Sequence, residues 1–131
     1  MLKSIDPLLS GDLLKILADM GHGDTLAVVD RNFPSHRYGV PVVRFDGVAI
    51  APVLRSILTV FPLDSFADKP VERMEIDNEP DTLSPVHREV AALAEEAEGR
   101  AIGVAGVARS AFYDRVSTVS AIVHTGEQVG Y

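Results

Sequence analysis

A chain of 131 residues, 47% of them hydrophobic, is long enough for one domain, residues 1–131, around a single sizeable core. Its formal charge of −7 argues against a nucleic-acid partner, because phosphate backbones are held by clustered Lys and Arg. The absence of cysteine rules out disulfides, thiolate nucleophiles and Cys-held metals.

So large an apolar share on so small a surface points to area buried against other subunits. Asp6 and Pro7 interrupt the N-terminal stretch where a signal peptide needs an unbroken apolar run. Apolar runs such as GVAIAPVL and AIGVAGVA are far short of a membrane span, so no membrane partner and a cytoplasmic location are expected.

Ser10 can cap a helix carrying Leu13, Leu14, Ile16, Leu17 and Met20 on one face, with Gly21 placed to end it. Thr25 to Val29 reads as a short buried strand, followed by the loop DRNFPSHRYGVP. VVRFDG is a second strand, and the apolar run from Ala51 to Phe61 a second helix stopped by Pro62. Val71 to Ile76 alternates and predicts a strand with one polar face. Ser84 and Pro85 suit the N-cap and first position of a helix that runs to Gly99. AIGVAGV is a continuous apolar strand of small residues, SAFYDRVST a short helix, and SAIVHTG a last buried strand. Helices alternating with strands apolar on both faces predict an α/β fold. The expected form is a three-layer sandwich whose mostly parallel, mixed sheet is covered by helices on both faces.

Two residues carry chemistry by position. His22 stands between Gly21 and Gly23, uncovered, and histidine is the side-chain type suited to acid–base work near neutrality. Asp30 follows four apolar residues at a strand's C-terminal end, where α/β sites gather. Both also fit plain structural roles, a turn histidine and a cap. At ~3.3 Å per residue the intervening chain could hold them on the order of 20 Å apart, so they meet only if the glycine loop folds back or another subunit supplies one. His36 lies in the same long loop, but His22, Asp24, Asp30 and His36 have no metal-ligand spacing, and no metal is expected. His87, in the first turn of a charged helix, is expected to be solvated, and His124 to be a partly buried structural histidine. The glycines of GVAGVARS match neither a dinucleotide fingerprint nor a P-loop and suit close strand packing. Arg109, just past that strand, can present a fork of donors to hydroxyls or serve as a helix-start surface residue. No GxSxG nucleophile elbow is present, and Glu95, Glu96 and Glu98 read as a solvated helix face.

Taken together, MLKSIDPLLSGDLLKILADMGHGDTLAVVDRNFPSH, FPLDS, DTLSP, RSAFYDR and AIVHTGEQVGY resemble, across essentially the whole chain, the L-fucose mutarotase / D-ribose pyranase family. Arg109 and the AFYDR stretch are similar to its fucose branch, since the ribose branch usually has histidine at that position. The resemblance implies a cofactor-free isomerase that interconverts the α and β anomers of L-fucose or a close relative. His22 then falls on the proton donor, and Asp30 and Arg109 on sugar-binding positions. Asp30 is also placed to accept a sugar proton, His36 belongs with the substrate-binding set, and Tyr113 forms a wall of the site. Tyr131 falls on the tyrosine of a C-terminal Tyr-x-Asn sugar-contacting segment, whose Asn and final strand this chain does not carry. The family forms homo-oligomeric rings, typically decamers, with sites completed between neighbours. Pyranose–furanose isomerisation of the ribose type, or sugar binding without turnover after loss of the tail, are the alternative expectations.

Overall fold

The computed structural model describes residues 1–130; Tyr131 lies outside the described residues. In chain order the elements are α1 (Gly11–Asp19), β1 (Leu26–Val29), β2 (Val42–Phe45), α2 (Ile50–Leu58), β3 (Val71–Met74), α3 (Pro85–Glu98), β4 (Val104–Val107), α4 (Arg109–Val116) and β5 (Ala121–Thr125), with a 3₁₀ turn at Ser35–Tyr38 between β1 and β2. Among the described residues, no helix is long and apolar enough to cross a membrane.

Local chemistry explains two of the four helix starts among the described residues. Ser10 Oγ accepts from the Leu13 amide at 3.2 Å and opens α1. At α3, Ser84 Oγ accepts from the His87 amide at 3.1 Å while His87 Nδ1 accepts from the Ser84 amide at 3.3 Å. This is a capping box in which histidine takes the place of the usual glutamate. His87 is therefore buried, only 8% exposed, and not solvated as its charged neighbours had suggested. Gly99 ends α3 with φ of 66°, a backbone setting that costs glycine nothing.

All strand pairings are parallel. β5 lies between β1 and β2 in a three-stranded sheet, and β3 pairs with β4 in a separate two-stranded one. The α/β class with parallel strands thus holds, but the strands divide into two sheets where one had been expected. Pro41 just ahead of β2, and the outward charges Arg44 and Glu72, are the marks of edge strands and stop further pairing at β2 and β3.

The three-stranded sheet is covered on both faces. On one, Leu13 and Leu17 of α1 and Val53 and Ile57 of α2 pack on Val123, with Leu26, Val28, Val43 and Phe45 beside them. On the other, Ile122, Ala27 and Val29 meet Phe33 and Val116, flanked by Tyr38, Phe112 and Tyr113. Successive residues of β1 and β5 thus enter opposite cores, which is why neither strand shows a polar face.

Candidate active site

The parallel strands point their C-terminal ends to one edge, and the TGE segment ties that edge together. Thr125 Oγ1 donates to the Val29 carbonyl at 2.8 Å, and the Arg31 amide donates to the Glu127 carbonyl at 3.0 Å, so β1 and β5 finish in register. Glu127 accepts from the amides of Gln128 (2.9 Å) and Val129 (3.1 Å), and its second oxygen accepts from the Ile50 amide at 3.3 Å. Ala49 has no side chain to cap α2, so this carboxylate from the end of β5 does it, where the helix dipole favours negative charge. Glu127 is structural.

Asp30 emerges from this edge half-buried, with Oδ1 accepting from the Asn32 amide at 2.7 Å. The Phe33 amide returns to the Asp30 carbonyl at 3.3 Å. Phe33 then stacks between Tyr38 (centroids 5.9 Å apart) and Tyr113 (5.4 Å), with Phe112 edge-on. The Arg109 guanidinium lies 5.8 Å from the Tyr113 ring centroid, continuing the aromatic row with a cation. On the β2 side, Arg44 Nη1 donates to His36 Nε2 at 3.1 Å, and its Nε and Nη2 hold Asp46 Oδ1 at 3.0 and 2.7 Å. These bonds to Arg44 keep the Asp46 carboxyl below the usual carboxylate range. Asp30, His36, Tyr113 and Arg109 therefore share one edge of the molecule.

His22 does not join them. It precedes β1, whereas Asp30 follows it, and a four-residue strand alone separates the two by ~13 Å. At the N-terminal edge the side chain of His22 is 77% exposed, with Nδ1 3.3 Å from Asp64 Oδ1. Its ring makes an edge contact with Phe66 at 5.2 Å between centroids. Asp64 also accepts from the Phe66 amide at 2.9 Å, and that bond, followed by the bond from His22, holds its carboxyl below the ordinary value. A carboxylate can only accept, so Nδ1 carries the proton and Nε2 is the atom directed away from Asp64.

Asp64 had no assigned role in the sequence reading, although it sits in the FPLDS segment that carries the family likeness. The pairing joins loops on either side of β1 and α2, so no local spacing could announce it. Two shallow hollows, of about 610 Å³ between α1 and β2 and about 490 Å³ beside α3, are lined by neither His22 nor Asp30. Among the described residues no three His, Asp or Glu side chains gather closely enough to hold a metal ion.

A parallel α/β protein with polar and aromatic side chains along its strand ends, and a histidine paired with a carboxylate at the opposite end of β1, has the layout in which small-molecule sites are found. Residues 3–131 match the RbsD / FucU transport protein family, to which this chain belongs. It is 41% identical over 132 residues to an L-fucose mutarotase of Actinobacillus pleuropneumoniae serotype 5b, covering 100% of this chain and 91% of that one. Among solved structures it resembles FucU from Bifidobacterium longum, with 36% identity and a TM-score of 0.89 over 97% of this chain and 91% of that one. It also resembles the fucose mutarotase of Streptococcus pneumoniae in complex with L-fucose, with 35% identity, a TM-score of 0.87, and coverage of 97% and 90%.

Proposed function

We propose that this protein is an L-fucose mutarotase, with residues 1–131 acting as one sugar mutarotase-like domain. The observation that carries the reading is the His22–Asp64 pair: an exposed imidazole, oriented by a carboxylate, in a chain 41% identical to an L-fucose mutarotase. Anomer exchange requires the ring oxygen to gain a proton and the anomeric hydroxyl to lose one as the C1–O5 bond breaks. The open aldehyde then turns about C1–C2 and recloses on its other face. His22 Nε2 delivers the proton to the ring oxygen while Asp64, at Nδ1, holds the ring in place. Asp30 receives or holds the anomeric hydroxyl proton, Arg109 supplies donors to the hydroxyls, and Tyr113 offers its ring to the apolar face of the sugar. His36, bonded to Arg44, supports the same edge; Tyr131 is assigned a hydroxyl contact from the sequence alone. Sugars mutarotate unaided, so the barrier to lower is modest and a small constellation suffices.

Because His22 and Asp30 stand at opposite ends of β1, the working site joins His22 of one copy to Asp30 and Arg109 of the next. A ring, with ten copies as the family-like number, is the assembly we propose. The 85% exposure of Phe66 beside His22 supports a covered surface there. Sedimentation at micromolar concentration should show a closed oligomer many times the mass of one chain; a monomer would defeat the shared site.

The activity itself is tested by NMR saturation transfer between anomers of L-fucose, D-ribose and D-galactose, with and without protein. Fucose exchange should quicken most and without added cofactor. Exchange at the buffer rate for every sugar would end the enzymatic reading, while selective acceleration of ribose would replace fucose with the pyranase alternative.

A further inference from the structure

β5 is aliphatic except near its end, where a titratable ring, His124, is 4% exposed. Its cross-strand partners are Val29 on β1 and Arg44 on β2, so it occupies the centre of the edge that carries Asp30. A polar ring buried there is costly unless bonded. The bond is to Ser35: Oγ lies 2.7 Å from His124 Nδ1, and Ser35 is itself only 2% exposed. Ser35, two residues beyond Phe33 of the aromatic row, opens the 3₁₀ turn that carries His36 and ends in Tyr38. The mechanism above uses neither Ser35 nor His124.

We propose that His124 is a positioning residue for the sugar site: through Ser35 it clamps the Phe33–Tyr38 segment to the central strand, and so sets where Asp30, His36 and the Tyr113 wall stand relative to the sugar. The inference rests on the reading of this edge as the sugar-binding half of the site. Residue 124 shares a face with Ile122, where an aliphatic side chain fills the core well, so packing alone does not call for an imidazole. The charges facing the ring are Arg44 and Asp46 from β2 and its end, Asp30 beyond β1, and His36 from the turn. Burial first, then Arg44, lowers the His124 pKa; Asp46 and Asp30 oppose this, and His36 adds slightly to it. The ring is therefore neutral at neutral pH, and in acid its protonation would place a second cation beside Arg44 and loosen the clamp.

The test compares wild type with Ser35→Ala, His124→Val, the double variant and His124→Gln, each first shown to be folded by circular dichroism. KM and kcat for L-fucose anomer exchange are measured across the histidine range of pH, together with amide hydrogen exchange of residues 33–38. A buried neutral hydrogen bond is worth about a five- to tenfold change in an equilibrium, so KM should rise by about that factor in Ser35→Ala and His124→Val. Turnover should change much less than KM, and the double variant should be no worse than His124→Val, since one bond is lost in all three. His124→Gln, which can still bond Ser35 but cannot titrate, should keep KM near wild type and abolish its rise in acid. Amides 33–38 should exchange faster in His124→Val. A folded His124→Val with wild-type KM, pH profile and amide protection would overturn the clamp. If the wild type shows only buffer-rate exchange, the sugar reading falls instead; faster exchange of amides 33–38 in His124→Val would still uphold the clamp, and unchanged protection would overturn it.

Discussion

Replacing His22 with asparagine should lower the accelerated part of L-fucose anomer exchange by about 10²–10⁴-fold, the usual contribution of a positioned general acid. The side chain is 77% exposed and its contacts are an edge approach to Phe66 and the bond to Asp64, so the fold should be untouched. Asparagine keeps a donor toward Asp64 and loses only the titratable nitrogen. Sugar affinity should change little, because Asp30 and Arg109 remain. Asp64→Asn should give a smaller loss, on the order of 10- to 100-fold, as expected when the charge-assisted hydrogen bond that orients the His22 ring is replaced by a neutral one. Asp30→Asn should weaken binding and rate together, the signature of a group that orients substrate in both ground and transition states. Saturation-transfer NMR on the three variants separates these patterns. Wild-type exchange in His22→Asn would remove His22 from the mechanism and leave a turn histidine in its place.

The largest effect on stability is expected at Gly126. A Cβ built there would stand 2.3 Å from the Asp46 carbonyl oxygen, 3.0 Å from its carbon and 3.1 Å from the Val48 amide nitrogen. All three are backbone atoms of the β2–α2 connection and cannot swing aside. The Gly126 amide also donates to the Val48 carbonyl at 2.7 Å, a bond that the required shift would break. Overpacking with loss of a half-buried bond should cost about 2–4 kcal/mol, so Gly126→Ala should melt roughly 10 °C below wild type. Gly11→Ala is the control: it opens α1, has nothing within 4 Å of an added Cβ, and should melt at or slightly above the wild-type temperature. Equal melting of the two variants would show that the close approach at Gly126 is not needed.

Much of the architecture was legible because its causes are local. Ser84 and Pro85 announce α3, since a hydroxyl and a preset φ act on backbone groups within a turn of themselves. AIVH in β5 reads as buried on both faces because both of its faces are in fact filled, by Val123 on one side and Ile122 on the other. The start of α2 is different. Its cap, Glu127, lies 77 residues away, and the apolar run placed the helix one residue late without naming its partner. His87 misled for another reason: its neighbours along the chain are charged, while its ring turns back to the Ser84 amide in the capping box and is buried there.

The site divides in the same way. Residue type, the flanking glycines and the strand end single out His22 and Asp30, because exposure of an imidazole and placement of a carboxylate follow from short-range backbone geometry. The strand length between them left two ways for them to meet, the glycine loop folding back or a second subunit supplying one of them. Only the tertiary structure decided which edge each one occupies, that Asp64 orients His22, that Glu127 is a cap and that Ser35 reaches the buried His124. Each of those contacts joins segments that meet only when parallel strands are returned to the same edge by helices, and a side-chain hydrogen bond acts over about 3 Å whatever the distance along the chain. Sequence alone determined which groups this protein can use; the crossovers of the fold determined which of them can touch.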